Sequence, residues 1–151
     1  MIRLRRAVMS DSEAVFEWRN DPAVRDHFFD SRELSFAEHT RWFEESLRRA
    51  DRVVLIAHHE QDAVGVIRFD LTPQDPTTAE VDIYLDPKMH GRGLGTAVLK
   101  EGVEWTRRHT EIKRLVARVR ARNEASMKMF SKCGFDAQHL FFSKEIAHAE
   151  N

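Results

Sequence analysis

The sequence predicts an α/β fold of the α+β kind: one mixed β-sheet with helices packed on both faces, forming a single domain over residues 1–151. Three observations carry that expectation. Segments of period-two alternation and segments of helical spacing follow one another along the chain, without internal repeats or low-complexity tracts. Midway, an alternating run that breaks at Pro87 passes through a glycine-dense turn straight into a helical pattern. And 151 residues is a one-domain length, enough to bury about two-thirds of the unfolded surface.

Taken in order, Ile2 to Val8 reads as a first strand. Ser10 and Glu13 form a capping-box pair for a helix that turns Ala14, Val15 and Trp18 inward and stops near Asn20-Asp21-Pro22. A short helical turn follows around Ala23 to Phe28. Ser35 and Glu38 make a second capping box, with Phe36, Thr40, Phe43 and Leu47 at helical spacing behind it. Arg52 to His58 and Val64 to Leu71 are partner strands joined by a turn at Glu60-Gln-Asp-Ala63, and Pro73 and Pro76 confine residues 72 to 77 to a loop. In the next strand Val81, Ile83 and Leu85 alternate with Glu80, Asp82 and Tyr84. Leu94, Val98 and Trp105 then mark the buried stripe of the helix beyond the glycines. Lys113 to Ala121 is expected as a strand. The last helix has Asn123 as N-cap, Ala125, Met129 and Cys133 as apolar stripe and Gly134 at C′; Phe135 to Ile146 is expected to close the sheet.

The glycine turn is the most informative segment. In His90-Gly-Arg-Gly-Leu-Gly95, followed by Thr96, glycines let the main chain approach a ligand closely, and the free N–H groups of the first helical turn point at it. Such a strand, turn and helix start make an anion site suited to a diphosphate. Three loop types compete. A Walker loop requires a Gly-Lys-Ser/Thr ending, which the chain lacks. A dinucleotide fingerprint requires a sixth-position glycine, but counting from Gly91 that position is Thr96. The acetyl-coenzyme A loop, Gln/Arg-x-x-Gly-x-Gly/Ala, fits except that His90 stands at its first position; a glycine-rich turn opening an ordinary helix is the plain alternative.

Composition narrows the field. Basic and acidic side chains nearly cancel, 24 against 25, so no global field calls for nucleic acid or a membrane. The single cysteine, Cys133, excludes an internal disulfide and suits a reducing compartment. No apolar run has signal-peptide or membrane-span length, so a cytoplasmic protein is expected, as a monomer or a homodimer. The His58-His59 pair lacks metal-ligand spacing with other donors, and no metal is expected. Arg118, Arg120 and Arg122 alternate with Ala117, Val119 and Ala121, as the solvated face of a strand would; attraction of phosphates is the functional alternative.

Downstream, Asn123-Glu-Ala-Ser-Met-Lys-Met-Phe-Ser-Lys-Cys-Gly-Phe135 joins the glycine loop to complete a resemblance over roughly residues 78 to 136. Together the two segments resemble the GNAT superfamily of N-acetyltransferases, which pairs the coenzyme A loop with a later Asn-x-x-(Ala/Ser)-x-x-x-Tyr-x-Lys-x-Gly-Phe motif. The resemblance implies a central, mostly antiparallel twisted sheet with a splayed parallel strand pair at the cofactor site. It implies acetyl-CoA as cosubstrate, held by main-chain groups of Ile83 and Leu85 and by the turn His90, Gly91, Arg92, Gly93, Leu94, Gly95 and Thr96, with Asn123 and Phe130 as further contacts. The chemistry implied is transfer of acetyl from the thioester to an amine. Glu80 and Asp82 flank the acetyl site and are candidate bases, against the plain reading that both are solvated strand residues. His39 offers imidazole chemistry, or is simply a core or surface group. Where many members carry a tyrosine that protonates the departing thiolate, this chain has Phe130. Tyr84, its only tyrosine, is therefore the candidate acid, together with water, Ser126 and Cys133. The missing hydroxyl also keeps open a non-catalytic acyl-CoA sensor.

The acceptor is expected to be a small-molecule amine. Trp18-Arg-Asn-Asp-Pro-Ala-Val-Arg25, with Leu34-Ser-Phe-Ala-Glu-His39 and Trp42-Phe43, resembles the branch acetylating nucleotide-linked 4-amino sugars in nonulosonic-acid synthesis. On that resemblance Trp18, Arg19, Arg25 and His39 are candidate substrate contacts, with Trp42 a further aromatic, unless the tryptophans are core. Protein N-termini and small amines such as antibiotics or polyamines are the alternatives.

Overall fold

The computed structural model describes residues 1–148. The elements run β1 (Ile2–Arg6), α1 (Ser12–Asn20), α2 (Pro22–Arg25), α3 (Phe36–Arg48), β2 (Arg52–His59), β3 (Asp62–Thr72), β4 (Asp75–Leu85), α4 (Leu94–His109), β5 (Arg114–Val116) and α5 (Glu124–Lys132). The five strands lie in sequence order in one sheet. β1 to β4 are antiparallel, and β5 adds to β4 in parallel through Thr78↔Arg114, Ala79↔Leu115 and Glu80↔Val116. Only that last pair needs a crossover, and α4 supplies it.

Register places the core on both faces. Because side chains alternate, Leu55, Ile67, Phe69 and Val81 fall on one face and bury against Val98 and Leu99 of α4 and Phe130 of α5. Val54, Ile56 and Val66 fall on the other and bury against Val15 and Trp18 of α1 and Phe43 of α3. α4 lies close on the sheet: a Cβ built at Gly102 would stand 2.6 Å from Ile67 Cδ1.

Several local expectations are corrected. Asp11, not the Ser10–Glu13 pair, anchors the start of α1; its carboxylate accepts from Val8 N–H and from two Arg5 nitrogens, each at 2.8 Å. Ser35 does cap α3, accepting from Glu38 N–H at 3.1 Å. The buried line of α3 is His39, Phe43 and Ser46, while Phe36 is half exposed and packs edge-on against Phe16. On α4 the buried line is Val98, Leu99, Gly102 and Thr106; Trp105 is only partly buried, between Arg6 and His109. The loop expected at 72–77 contracts to Pro73-Gln74, because the Asp75 carboxylate accepts from Thr77 N–H and the Thr77 and Thr78 hydroxyls, drawing the chain back into β4.

Two expected strands differ in the structure, one shortened and one absent. β5 is three residues rather than 113–121, since the chain beyond Val116 leaves the sheet to contact other elements. Residues 135–146 form no strand, and Leu140, Phe141 and Phe142 are exposed. Three consecutive large apolar residues cannot present one buried face at a period of two.

Candidate active site

The site opens where β4 and β5 part. β5 ends level with Glu80, whereas β4 continues to Leu85. On its β5 side, Val81–Leu85 has no strand partner. Those residues, the glycine turn, the start of α4, Arg118, Val119 and α5 line a cleft of about 340 Å³. The splayed parallel pair expected from the resemblance is thus present. The chain after β5 is drawn aside by its arginines: Arg118 Nε donates to the Glu80 carboxylate at 2.9 Å, and Arg120 donates to the Phe28 carbonyl at 3.0 Å.

At one end of the cleft the turn builds an anion cradle. Asp86 N–H donates to the Val64 carbonyl at 2.8 Å, and the Asp86 side chain caps the short turn Pro87–Met89. Gly91 and Gly93 hold φ of 78° and 72°, the left-handed region that favours glycine. α4 then begins without a side-chain cap, so the N–H groups of Leu94, Gly95 and Thr96 lack intrahelical partners at the positive end of the dipole. A Cβ at Gly91 or Gly93 would meet nothing within 4 Å. Open space over unsatisfied donors fits a diphosphate. His90, Leu94, Gly95 and Thr96 line this end; Arg92 does not, its guanidinium lying against Met89 Sδ.

α5 forms the opposite wall. Asn123 is buried, caps α5 by accepting from Ser126 N–H at 3.2 Å, and lines the cleft. The helix ends in a paired motif: Gly134, at φ 86°, donates to Ser131 O, and Phe135 N–H donates to Phe130 O. Phe130 is buried edge-on to Phe135 and also faces the cleft.

The polar face of β4 carries Glu80, Asp82 and Tyr84. Asp82 reaches the cleft with Arg68 Nη2 3.5 Å from its carboxylate. Burial pushes its carboxyl up; Arg68 opposes that, while Asp70 and Glu80 add to it. A raised carboxyl is a better proton acceptor. Tyr84 is edge-on to Phe28 at 5.3 Å, and burial, with the charge of Asp82, pushes its phenol well above the usual range. Glu80 lies outside the lining and is bound to Arg118. A cavity of about 10 Å³ touches Arg68, Asp82 and Tyr84, the order of size of one water molecule.

The residues expected to meet the acceptor are elsewhere. Trp18 is core. His39 is fully buried, donates from Nε2 to the Ser12 carbonyl at 3.1 Å, and is held below the usual histidine range by burial. Arg19 stacks on Phe28 and donates to the carbonyls of Asp30 and Arg32. Arg25 lies 3.9 Å from Glu33, and Trp42 sits against Arg52 and Arg68. With Asn20, which exchanges two hydrogen bonds with Leu34, Arg19 and Arg120 fasten the segment after α2. That segment delivers His27 and Phe28 to the cleft, residues that sequence reasoning passed over. Its paired phenylalanines in a polar stretch were the available sign.

The family comparison agrees with this geometry. The acetyltransferase (GNAT) domain model matches residues 2–136. The chain belongs to the GNAT acetyltransferase family. It is 32% identical to the putative phosphinothricin acetyltransferase YwnH of Bacillus subtilis, over 91% of this chain and 86% of that one. It is 23% identical to the acetyltransferase PseH of Campylobacter jejuni subsp. jejuni serotype O:23/36 (strain 81-176), over 89% and 85%. The aminoglycoside acetyltransferase AAC(6′)-Ib, solved with coenzyme A, superposes with a TM-score of 0.82 at 18% identity, over 91% of this chain and 86% of that one. The GNAT protein described here is an acetyl-CoA-dependent N-acetyltransferase. No described helix is long and apolar enough to cross a membrane.

Proposed function

We propose that the acceptor is a small primary amine carrying one anionic group, an α-amino acid being the first case, and that Asp82 takes the amine's proton. One observation carries this reading. Among the described residues, Asp82 is the one carboxylate lining the cleft and Arg118 the one arginine or lysine. A single guanidinium matches one carboxylate or phosphinate better than a diphosphate. The YwnH relative is named for phosphinothricin, itself an amino acid.

Bound acetyl-CoA supplies an acetyl group already activated as a thioester. The unpaired edge of Ile83–Leu85 would hold its pantetheine arm, the N–H groups of Leu94–Thr96 its diphosphate, and Asn123 would border it. The chain's own chemistry is proton handling. Asp82 accepts a proton from the acceptor's ammonium, freeing the lone pair for attack. Tyr84 stays protonated and can offer a hydrogen bond. Giving its proton to a thiolate is uphill, by roughly 1.5 pKa units even for an ordinary phenol against an ordinary thiol. Coenzyme A thiolate is a stable enough anion to leave unprotonated and take its proton from solvent afterwards, so no general acid is required, which accommodates Phe130.

A nucleotide-linked amino sugar is the second reading, favoured by Phe29, which is 62% exposed beside Arg118 and available to stack. Coenzyme A release, followed with a thiol-reactive dye across amino acids, phosphinothricin, a nucleotide-linked 4-amino sugar, an aminoglycoside and a peptide N-terminus, separates the two. The first reading requires the highest kcat/KM for an amino acid, with loss on amidation of its carboxylate. Preference for the nucleotide sugar, or indifference to the anion, would refute it.

A further inference from the structure

The sheet face that packs against α1 and α3 also carries a row of alternating charges that ends at the site. Arg52 on β2, Asp70 and Arg68 on β3 and Asp82 on β4 follow one another across three strands. Arg52 Nε donates to Asp70 Oδ1 at 2.6 Å, and Arg68 Nε donates to Asp70 Oδ2 at 3.2 Å. Arg68 Nη2 then stops 3.5 Å from Asp82 Oδ2, an ion-pair distance beyond a good charge-assisted hydrogen bond. Arg68 stands directly across from Asp82 in the β3–β4 register, so nothing in the backbone prevents a closer approach. Its guanidinium bridges the two carboxylates, with Nε on Asp70 and Nη2 toward Asp82, so Asp70 shares it. Trp42 covers the row, with Arg52 5.6 Å and Arg68 5.3 Å from its ring centre, and Ser46 accepts a further Arg52 hydrogen bond at 2.9 Å. Side-chain exposure falls from 38% at Asp82 to 12% at Arg52, so the row runs inward from the cleft.

We propose that Asp70 is a positioning residue for acetyl transfer: by holding Arg68 from two residues along β3, it keeps that guanidinium from closing on Asp82 and so leaves Asp82 able to take a proton. The proposal rests on the reading of Asp82 as the amine's proton acceptor. Other charged or titratable groups surround this part of the cleft: Glu80 and Tyr84 on Asp82's own strand, Arg19 of α1 near Tyr84, and His27 after α2 and Arg118 after β5 in the cleft lining. Glu80 and Arg118 pair with each other, and Arg19 is engaged with backbone carbonyls. Arg68 is therefore the cation whose position Asp70 can change. An opposite charge that closes to contact typically lowers a carboxyl by one unit or more, which is the range at stake here.

The row makes two opposite-signed expectations. In Asp70→Asn, Arg68 loses its competing carboxylate and closes on Asp82, and the negative charge behind it is gone; the Asp82 carboxyl should titrate about one unit lower. In Arg52→Gln, Asp70 is left with Arg68 as its partner and draws it further away, and the Asp82 carboxyl should titrate higher. The measurement is a pH titration of the carboxyl carbons by ¹³C NMR in protein labelled at aspartate, with Asp82→Asn assigning the signal. Circular dichroism and thermal melts confirm that each variant is folded. Shifts of opposite sign support the row. No shift, or shifts of the same sign, overturn it; should Asp70→Asn fail to fold, Arg52→Gln alone decides by whether Asp82 moves up. The acidic limb of kcat/KM is then recorded in the same variants. A carboxyl that moves while that limb stays fixed would leave Asp70 governing Arg68 and remove the base role from Asp82.

Discussion

Replacing Gly93 with valine probes the anion cradle without touching the core. An L-residue in the left-handed region costs about 1–2 kcal/mol, and a β-branched one lies at the upper end. Gly93 holds φ 72°, is exposed, and has open space where a Cβ would lie. The free turn can thus relax to negative φ with little loss of stability, but relaxation swings the N–H groups of Leu94–Thr96 off their common focus. Binding must restore the strained turn and place two methyls beside the diphosphate. The loss should be roughly 1.4–2.8 kcal/mol, or about 10- to 100-fold in Kd for acetyl-CoA. Calorimetric titration measures it, with Gly134→Ala as the control. Gly134 has φ 86° but lies at the far end of α5, outside the cleft. That variant should lose about 1 kcal/mol of stability and keep its affinity. Unchanged acetyl-CoA affinity in folded Gly93→Val would refute the cradle.

Two further outcomes follow from the geometry. Tyr84→Phe should lower kcat by less than about threefold, because a phenol raised by burial is too weak an acid to serve a thiolate; a hundredfold loss would make Tyr84 the acid that Phe130 cannot be. Asp11→Asn should cost about 1–3 kcal/mol in urea denaturation at neutral pH, since its carboxylate satisfies both Arg5 and Val8 N–H. Burial raises the Asp11 carboxyl, but the Arg5 and Val8 hydrogen bonds prevail and hold it below the usual range. Its stabilisation is therefore complete above the unfolded value near pH 3.9, and it disappears as pH falls through the lower folded one. The gap between wild type and variant should close in acid; a gap that persists there contradicts the pairing.

Sequence patterns that repeat locally were legible, and choices made between distant segments were not. The alternation of Val81, Ile83 and Leu85 with Glu80, Asp82 and Tyr84 correctly divided β4 between an apolar and a polar face, because a strand's period is a local property. Gly91, Gly93, Asn123 and Gly134 could be read for the same reason: each supplies a backbone angle or cap that its immediate neighbours require. Trp18, Arg19 and Arg25 have the right chemistry for a nucleotide, but whether a tryptophan faces a cleft or a core depends on what α1 packs against. His39 was ambiguous in sequence and is fully buried between Phe16 and Phe43. The row from Arg52 to Asp82 spans three strands and could not be seen before their register was known. Residues 135–146 misled because apolar content was read as a strand where the alternation was absent.

The role given to Asp82 is tested most directly by Asp82→Asn, assayed for kcat/KM across pH with the preferred amine and for acetyl-CoA affinity by calorimetry. Burial lifts the Asp82 carboxyl, so the wild-type acidic limb should lie above the ordinary aspartate range, activity falling as pH drops through it. The variant should bind acetyl-CoA within about twofold of wild type, since the cradle is untouched, and lose roughly 10²- to 10⁴-fold in kcat/KM at neutral pH together with that limb. Near-wild-type turnover with the acidic limb intact would show that the amine gives up its proton elsewhere.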